Sequence, residues 1–209
     1  MDEKKSLIKR KLIVLILLLV PIITIFLIVL FRYILLPSNE KIINDLKNIN
    51  CYSTGVEYIF KNSREEFREE TTQYYSKDKG FRIEFGQEGK RVKVYKGGEI
   101  QVKQNESDNF ILNEGIDAIY PVAFIDNILS NKISEEIKEG KEEWGDGDYL
   151  EVDIKYNIKN KHFNKGKFYI DKKTKSPILL KILDDEDKER VIIIYKDFKI
   201  EKQLSDDLF

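Results

Sequence analysis

Phe81-Arg82-Ile83-Glu84-Phe85, then Arg91-Val92-Lys93-Val94, then Lys96-Gly97-Gly98-Glu99 leading into Ile100-Gln101-Val102, is the stretch that decides the fold. Apolar and polar residues alternate with a period of two through each run, the pattern of a strand with one buried face. Gly97 and Gly98 stand between two such runs, where a two-residue turn needs positive φ at both central positions. The stretch reads as a β-hairpin with one further strand before it.

The same rhythm extends outward. Tyr52, Thr54, Val56, Tyr58 and Phe60 alternate with Ser53, Gly55 and Glu57, which predicts a half-buried strand starting at Cys51. A turn over Lys61 to Glu66 leads to a strand rich in Thr and Tyr around Thr71, Thr72, Tyr74 and Tyr75. Downstream, Phe110-Ile111-Leu112 follows a polar turn, and strand patterns recur at Ile137 to Trp144, Tyr149 to Tyr156, Lys167 to Asp171, Ile178 to Leu183 and Val191 to Phe198. Ile116 to Ser130 breaks the rhythm: Ile116, Ile119, Tyr120, Ala123, Phe124 and Ile128 follow a helical stripe interrupted by Pro121. About eleven strands joined by short polar turns, with one helical insertion, predict a mainly β (α+β) antiparallel meander. Inward aromatics at Tyr58, Phe60, Phe81, Phe85 and Phe168 let such a sheet curl around the helix, leaving either a filled core or an apolar hollow.

Ahead of the strands the composition changes. Leu12 to Phe31 is a run of 20 residues in which Thr24 is the one polar side chain. As a helix it would measure about 30 Å, the thickness of a bilayer's hydrocarbon core. Lys4, Lys5, Lys9, Arg10 and Lys11 precede it and only Arg32 follows closely, so the positive-inside rule puts the N-terminus in the cytoplasm. The run exceeds the apolar region of a cleaved signal peptide and no A-x-A site follows it, which favours an uncleaved signal-anchor. Ser38 can cap a short helix with Ile42, Leu46 and Ile49 on one face. The expected organisation is 1–36, cytoplasmic tip and transmembrane anchor; 37–50, short linker helix; 51–209, extracytoplasmic domain.

Charge and residue supply limit the chemistry. The chain has 36 Lys and Arg against 37 Asp and Glu, and beyond Pro37 the balance is 30 to 35, a weakly acidic domain that argues against a nucleic-acid partner. One Cys and one His cannot form a zinc cage or a disulfide framework. His162 sits in a polar turn with no acid or thiol neighbour in sequence and reads as a surface residue. Cys51 reads as a packed small residue, too far past the apolar run to be a lipidation site. Asp146, Asp148, Glu151 and Asp153 start a calcium-loop spacing that Leu150 breaks, and Asp184 to Asp187 reads as a hairpin tip. Asn105-Glu106-Ser107 matches a glycosylation sequon and reads as a turn. No phosphate-cradling glycine loop, Gly-x-Ser-x-Gly elbow or His-Glu-x-x-His is present, and nothing selects one carboxylate pair for glycoside hydrolysis. No catalytic, cofactor-binding or metal-ligating residue is therefore assigned, and partner-contact residues carry no motif.

At Gln73 to Phe85 (QYYSKDKGFRIEF), and again at Phe168 to Pro177 and Tyr195-Lys196-Asp197-Phe198, the chain resembles the LolA/LolB-like lipoprotein-carrier superfamily, and within it the spore-germination lipoprotein GerS and its relatives. The resemblance implies an eleven-strand half-barrel closed by helices, no enzymatic activity, no cofactor, and a role outside the cytoplasmic membrane. Carriers of the superfamily hold acyl chains in an apolar cavity. The germination branch instead binds and licenses a cortex-processing N-acetylmuramoyl-L-alanine amidase. A transmembrane anchor stands here where the family has a lipidated Cys. The expectation is a non-enzymatic, single-pass accessory protein of the cell envelope, whose C-terminal domain faces the extracytoplasmic or forespore intermembrane space; the alternative is a LolA-like carrier or binder of lipids or lipoproteins.

Overall fold

The computed structural model describes residues 2–30, 37–62, 65–86, 91–104, 108–141, 147–156 and 163–209, with backbone alone at 2–14 and 135. His162, the Asn105-Glu106-Ser107 sequon, Asp146 and Trp144 lie outside the described residues. The chain divides into two compact units, Met1–Lys41 and Ile42–Phe209.

The first unit is dominated by α1 (Asp2–Leu30), a helix of 29 residues with Pro21 inside it. Thr24 donates its hydroxyl to the Val20 carbonyl at 2.8 Å, so the polar group of the run is satisfied within the helix. Leu15 to Leu30 is exposed throughout. No helix of the described residues is long and apolar enough to cross a membrane.

α2 (Asn39–Lys47) starts as its sequence predicts, with the Lys41 amide donating to Ser38 Oγ at 3.2 Å. Its side chains do more than link. Ile42, Ile43 and Leu46, with Ile49 after the helix, are buried in the core cluster of the second unit.

That unit is built on one antiparallel sheet of 11 strands in the order β6-β5-β4-β3-β2-β1-β11-β10-β9-β8-β7. The first arm comprises β1 (Cys51–Lys61), β2 (Glu66–Ser76), β3 (Gly80–Phe85), β4 (Arg91–Lys96), β5 (Glu99–Gln104) and β6 (Asp108–Asn113). The second comprises β7 (Lys132–Lys141), β8 (Asp148–Lys155), β9 (Lys165–Asp171), β10 (Pro177–Leu183) and β11 (Glu189–Ile200). Within each arm successive strands are neighbours; β1 and β11 join the arms, pairing Tyr58 with Ile193 and Val56 with Tyr195. The hairpin read at Gly97-Gly98 is present, with φ of 61° and 84° at the two glycines.

One face of the sheet, the inner face, packs on the segment that crosses from β6 to β7. The sequence predicts a helical stripe over Ile116 to Ser130; the chain forms two 3-10 turns, Glu114–Ile116 and Tyr120–Ala123, and then α3 (Ile125–Ser130). Pro121 at the start of the second turn, where its missing amide is harmless, explains the interruption. Tyr58, Phe85 and Phe168 are core residues, and Phe60 and Phe81 pack against them, as the alternation predicts. β7 begins at Lys132 and not at Ile137, because Ser134 to Glu136 break the alternation, while β2 starts at Glu66, where the expected turn ends.

β4 reverses the expected phase. Phe81, Ile83 and Phe85 pair with Tyr95, Lys93 and Arg91, so the two bases share the inner face while Val92 and Val94 turn outward. The valines remain buried because the C-terminal segment lies over them: they line one hollow with Leu208 and Phe209. Arg82 donates to the Leu208 carbonyl at 2.8 Å and Lys79 to the Leu204 carbonyl at 2.7 Å, which ties that segment down.

The rest of the outer face is laced by cross-strand ion pairs. Glu57 meets Lys196 at 2.8 Å and Arg68 at 3.0 Å; Glu189 meets Lys61 at 2.6 Å and Lys181 at 2.8 Å. Lys196 holds Glu57 below the ordinary carboxylate range, Lys181 and Lys61 do so for Glu189, and the Lys188 backbone amide with Arg190 does so for Asp184. A folded value below the unfolded one of about 3.9–4.3 adds stability above that range and loses it as pH falls through the folded value. Urea midpoints are therefore expected to change little between pH 7 and 5 through these groups and to fall steadily below about pH 4; midpoints that stay level down to pH 3 would mean the pairs carry no stability.

Candidate functional site

The inner face of the central strands presents hydroxyls where a simple core would present hydrocarbon. Tyr52 and Tyr58 on β1 and Tyr195 on β11 are buried, and each meets the backbone of the crossover segment. Tyr58 donates to the Tyr120 carbonyl at 2.9 Å, Tyr195 donates to the Ala123 carbonyl at 2.6 Å, and the Ile125 amide donates to Tyr52 Oη at 3.0 Å. Gln73 on β2, fully buried, donates to Tyr58 Oη at 2.6 Å and fixes its orientation. Burial pushes all three phenols well up, so they stay protonated. Each bond between such buried groups contributes about 1 kcal/mol net, and losing one partner costs more because the other stays buried.

These bonds hold the segment against the sheet, where its apolar side chains are buried. Phe124, Ile125, Ile128 and Leu129 are at most 1% exposed. Phe124 lies 4.5 Å from Phe81, centroid to centroid. The inner face beneath α3 is thus occupied by the chain's own residues.

A second fastening, of charged groups, lies where the crossover passes β2 to β4. Lys93 donates to Asp117 Oδ2 at 2.5 Å and Tyr95 to the same oxygen at 2.7 Å. Arg91 donates to Glu69 Oε1 at 2.6 Å, and Tyr120 donates to the other Glu69 oxygen. The guanidinium of Arg91 lies 3.9 Å over the Phe85 ring and the Lys93 ammonium 4.7 Å from Tyr120. Burial and the Asp117 carboxylate push Tyr95 upward; burial and Glu69 do the same for Tyr120. Both carboxylates are matched by a base, and the cluster ties the crossover segment to β2 and β4.

The residues singled out in the sequence scatter. Cys51 lies at the start of β1, with its Sγ 3.7 Å from Ser76 Oγ. Glu151 and Asp153 face Lys167 and Lys138 on the outer face, while Asp148 opens β8. Asp184 accepts the amides of Glu186 and Lys188, both at 2.9 Å, and meets Arg190, the geometry of a self-closed turn. Among the described residues no group of three or more His, Cys, Asp or Glu could hold a metal ion. The fastening residues Gln73, Glu69, Arg91, Lys93, Asp117 and Tyr195 were not legible as a set; the one local signal is Gln73, a polar residue in an inward phase of β2.

No curated protein matches the chain. Among solved structures, an uncharacterized conserved protein from Thermus thermophilus is 14% identical with a TM-score of 0.52, over 82% of this chain and 93% of that one. The structure of the CwlD amidase from Clostridioides difficile in complex with the GerS lipoprotein is 25% identical with a TM-score of 0.46, over 79% and 97%. The LolA superfamily protein NE2245 from Nitrosomonas europaea is 12% identical with a TM-score of 0.41, over 83% and 97%. The likeness to the Thermus thermophilus protein is one of fold: an open antiparallel sheet with a helical segment on its inner face. Residues 9–209 match the family described as sporulation protein YdcC-like, and the chain belongs to that family.

Proposed function

We propose that this chain is a non-enzymatic accessory protein of sporulation, held in the cell membrane by the apolar run Leu12 to Phe31, whose sheet domain works on the extracytoplasmic side by binding and licensing a cell-wall or cortex amidase. The observation that carries the reading is the occupied inner face. A carrier needs open apolar space for an acyl chain, whereas here Phe124, Ile125, Ile128 and Leu129 fill the place such a chain would take. What the domain offers is its outer surface and its edges, which suit a protein partner. The apolar run Leu12 to Phe31 with its basic N-terminal flank supports the anchor, and the GerS-like sequence makes an N-acetylmuramoyl-L-alanine amidase the partner class to test first.

Affinity capture of the full-length protein from sporulating cells, with lipid extraction of the eluate, tests the proposal. An amidase recovered at near-equal amounts with no acyl chains is the expected result. Acyl chains at one per protein and no amidase would overturn it in favour of the lipid carrier. A mature N-terminus beyond Phe31, read by mass spectrometry, would remove the anchor.

A further inference from the structure

On most of the outer face of the second arm, base faces acid. Lys138 meets Asp153 at 2.7 Å, Lys167 meets Glu151 at 2.7 Å and Lys181 meets Glu189 at 2.8 Å. At the far end of the same strands this order stops. Lys132 on β7 is directly opposite Lys155 on β8, and Lys155 is directly opposite Lys165 on β9. Three lysines therefore stand abreast on neighbouring strands, where opposite side chains start about 5 Å apart and like charges destabilise the sheet. Lys165 has a carboxylate partner, the exposed Asp187 at 2.7 Å. Lys132 and Lys155 have none among the described residues.

The row borders a hollow of about 480 Å³. Ile133 and Leu183 give it an apolar side, and the irregular pairing of β7 just after Ile133 brings Ser134 to its edge. Asp153 and Asp187 also line it, but both are engaged by lysines. Two ammonium groups with no carboxylate partner among the described residues, a third on a solvent-exposed pair, and a hydroxyl line a space of ligand size. That set matches the oxygens of a phosphate group, and binding one would relieve the repulsion that the register imposes.

We infer that this hollow is a binding site for a phosphate-bearing anion, held by Lys132 and Lys155 with Lys165 and Ser134 in support. The phosphate is either free or the headgroup of an anionic phospholipid. The site is separate from the crossover fastening, and its existence does not depend on the amidase reading.

Calorimetric titration of the full-length protein in an uncharged detergent tests it, with three probes: inorganic phosphate, dihexanoyl phosphatidylglycerol below its micelle concentration, and the zwitterionic dihexanoyl phosphatidylcholine. Binding of phosphate or of the glycerol lipid is expected, at least about tenfold weaker in Lys132→Ala/Lys155→Ala, the loss of one charge-assisted contact. Equal response to phosphate identifies a free anion as sufficient; response to the glycerol lipid alone identifies the headgroup. The exposed pair Lys103→Ala/Lys199→Ala makes the same charge change elsewhere and should leave binding as it was. The inference fails if no anion binds up to about 10 mM, if the two double variants weaken binding alike, or if Lys132→Ala/Lys155→Ala binds as the parent does. Melting curves check folding, and if the alanine pair does not fold, Lys155→Gln is read by the same criteria.

Discussion

Phe124→Ala should lower stability by about 3–5 kcal/mol, the range for truncating a buried aromatic, and the melting temperature by about 6–20 °C for a domain of this size. Phe124 is fully buried, leads into α3 and meets Phe81 ring to ring. The cost depends on how far the surroundings can close over the space left behind. Here they are restrained on both sides: the backbone one residue before is held by Tyr195 through the Ala123 carbonyl, and the backbone one residue after by Tyr52 through the Ile125 amide. The segment cannot sink into the gap without giving up buried hydrogen bonds. Urea unfolding of the parent and variant gives the difference directly. A loss below about 1 kcal/mol would mean that the ring is not packed, and the occupied inner face, on which the accessory reading rests, would go with it.

Gly80→Ala should cost about 2–5 kcal/mol, from left-handed backbone strain together with overpacking. Gly80 opens β3 at φ 107°, and a Cβ placed there would lie 2.3 Å from the Tyr95 carbonyl oxygen of β4. Backbone cannot swing aside as a side chain would, so the strand pair must shift. Gly97 gives the comparison: its φ of 61° also disfavours a side chain, but nothing lies within 4 Å of the added carbon. Gly97→Ala should therefore cost only about 1–2 kcal/mol. Equal losses at the two positions would show that backbone conformation, and not the approach of Tyr95, sets the requirement for glycine at Gly80.

The strands were readable where one face is apolar and the other polar, as in β1, β3 and β9. The start of β7 was not readable, because Ser134, Glu135 and Glu136 separate the two isoleucines, Ile133 and Ile137, with which this edge strand packs against the core. β4 shows a subtler failure. Val92 and Val94 look like the buried face and are buried, yet on the outer side, because a C-terminal segment more than 100 residues later covers them. That freed Arg91 and Lys93 to point inward and become part of the fastening. Periodicity reports that a face is covered; it carries no label saying by what. The tyrosine bonds were hidden for the same reason, since Tyr58 and Tyr120 are 62 residues apart and Tyr195 and Ala123 are 72 apart.

The pairing of β1 with β11 has a kinetic side. Every other strand contact in the sheet is between successive strands and can form as soon as its hairpin exists, whereas Tyr52 must wait for Ile200. Closing a loop of that length is slow compared with forming a hairpin. During synthesis the first arm can fold while the second is still being made, but its long strand β1 is then an open edge with Tyr58 and Val56 unshielded by β11. The arrival of β11 thus ends the period in which a newborn molecule is vulnerable to aggregation and proteolysis, and a chain that stops short of Glu189 never leaves it.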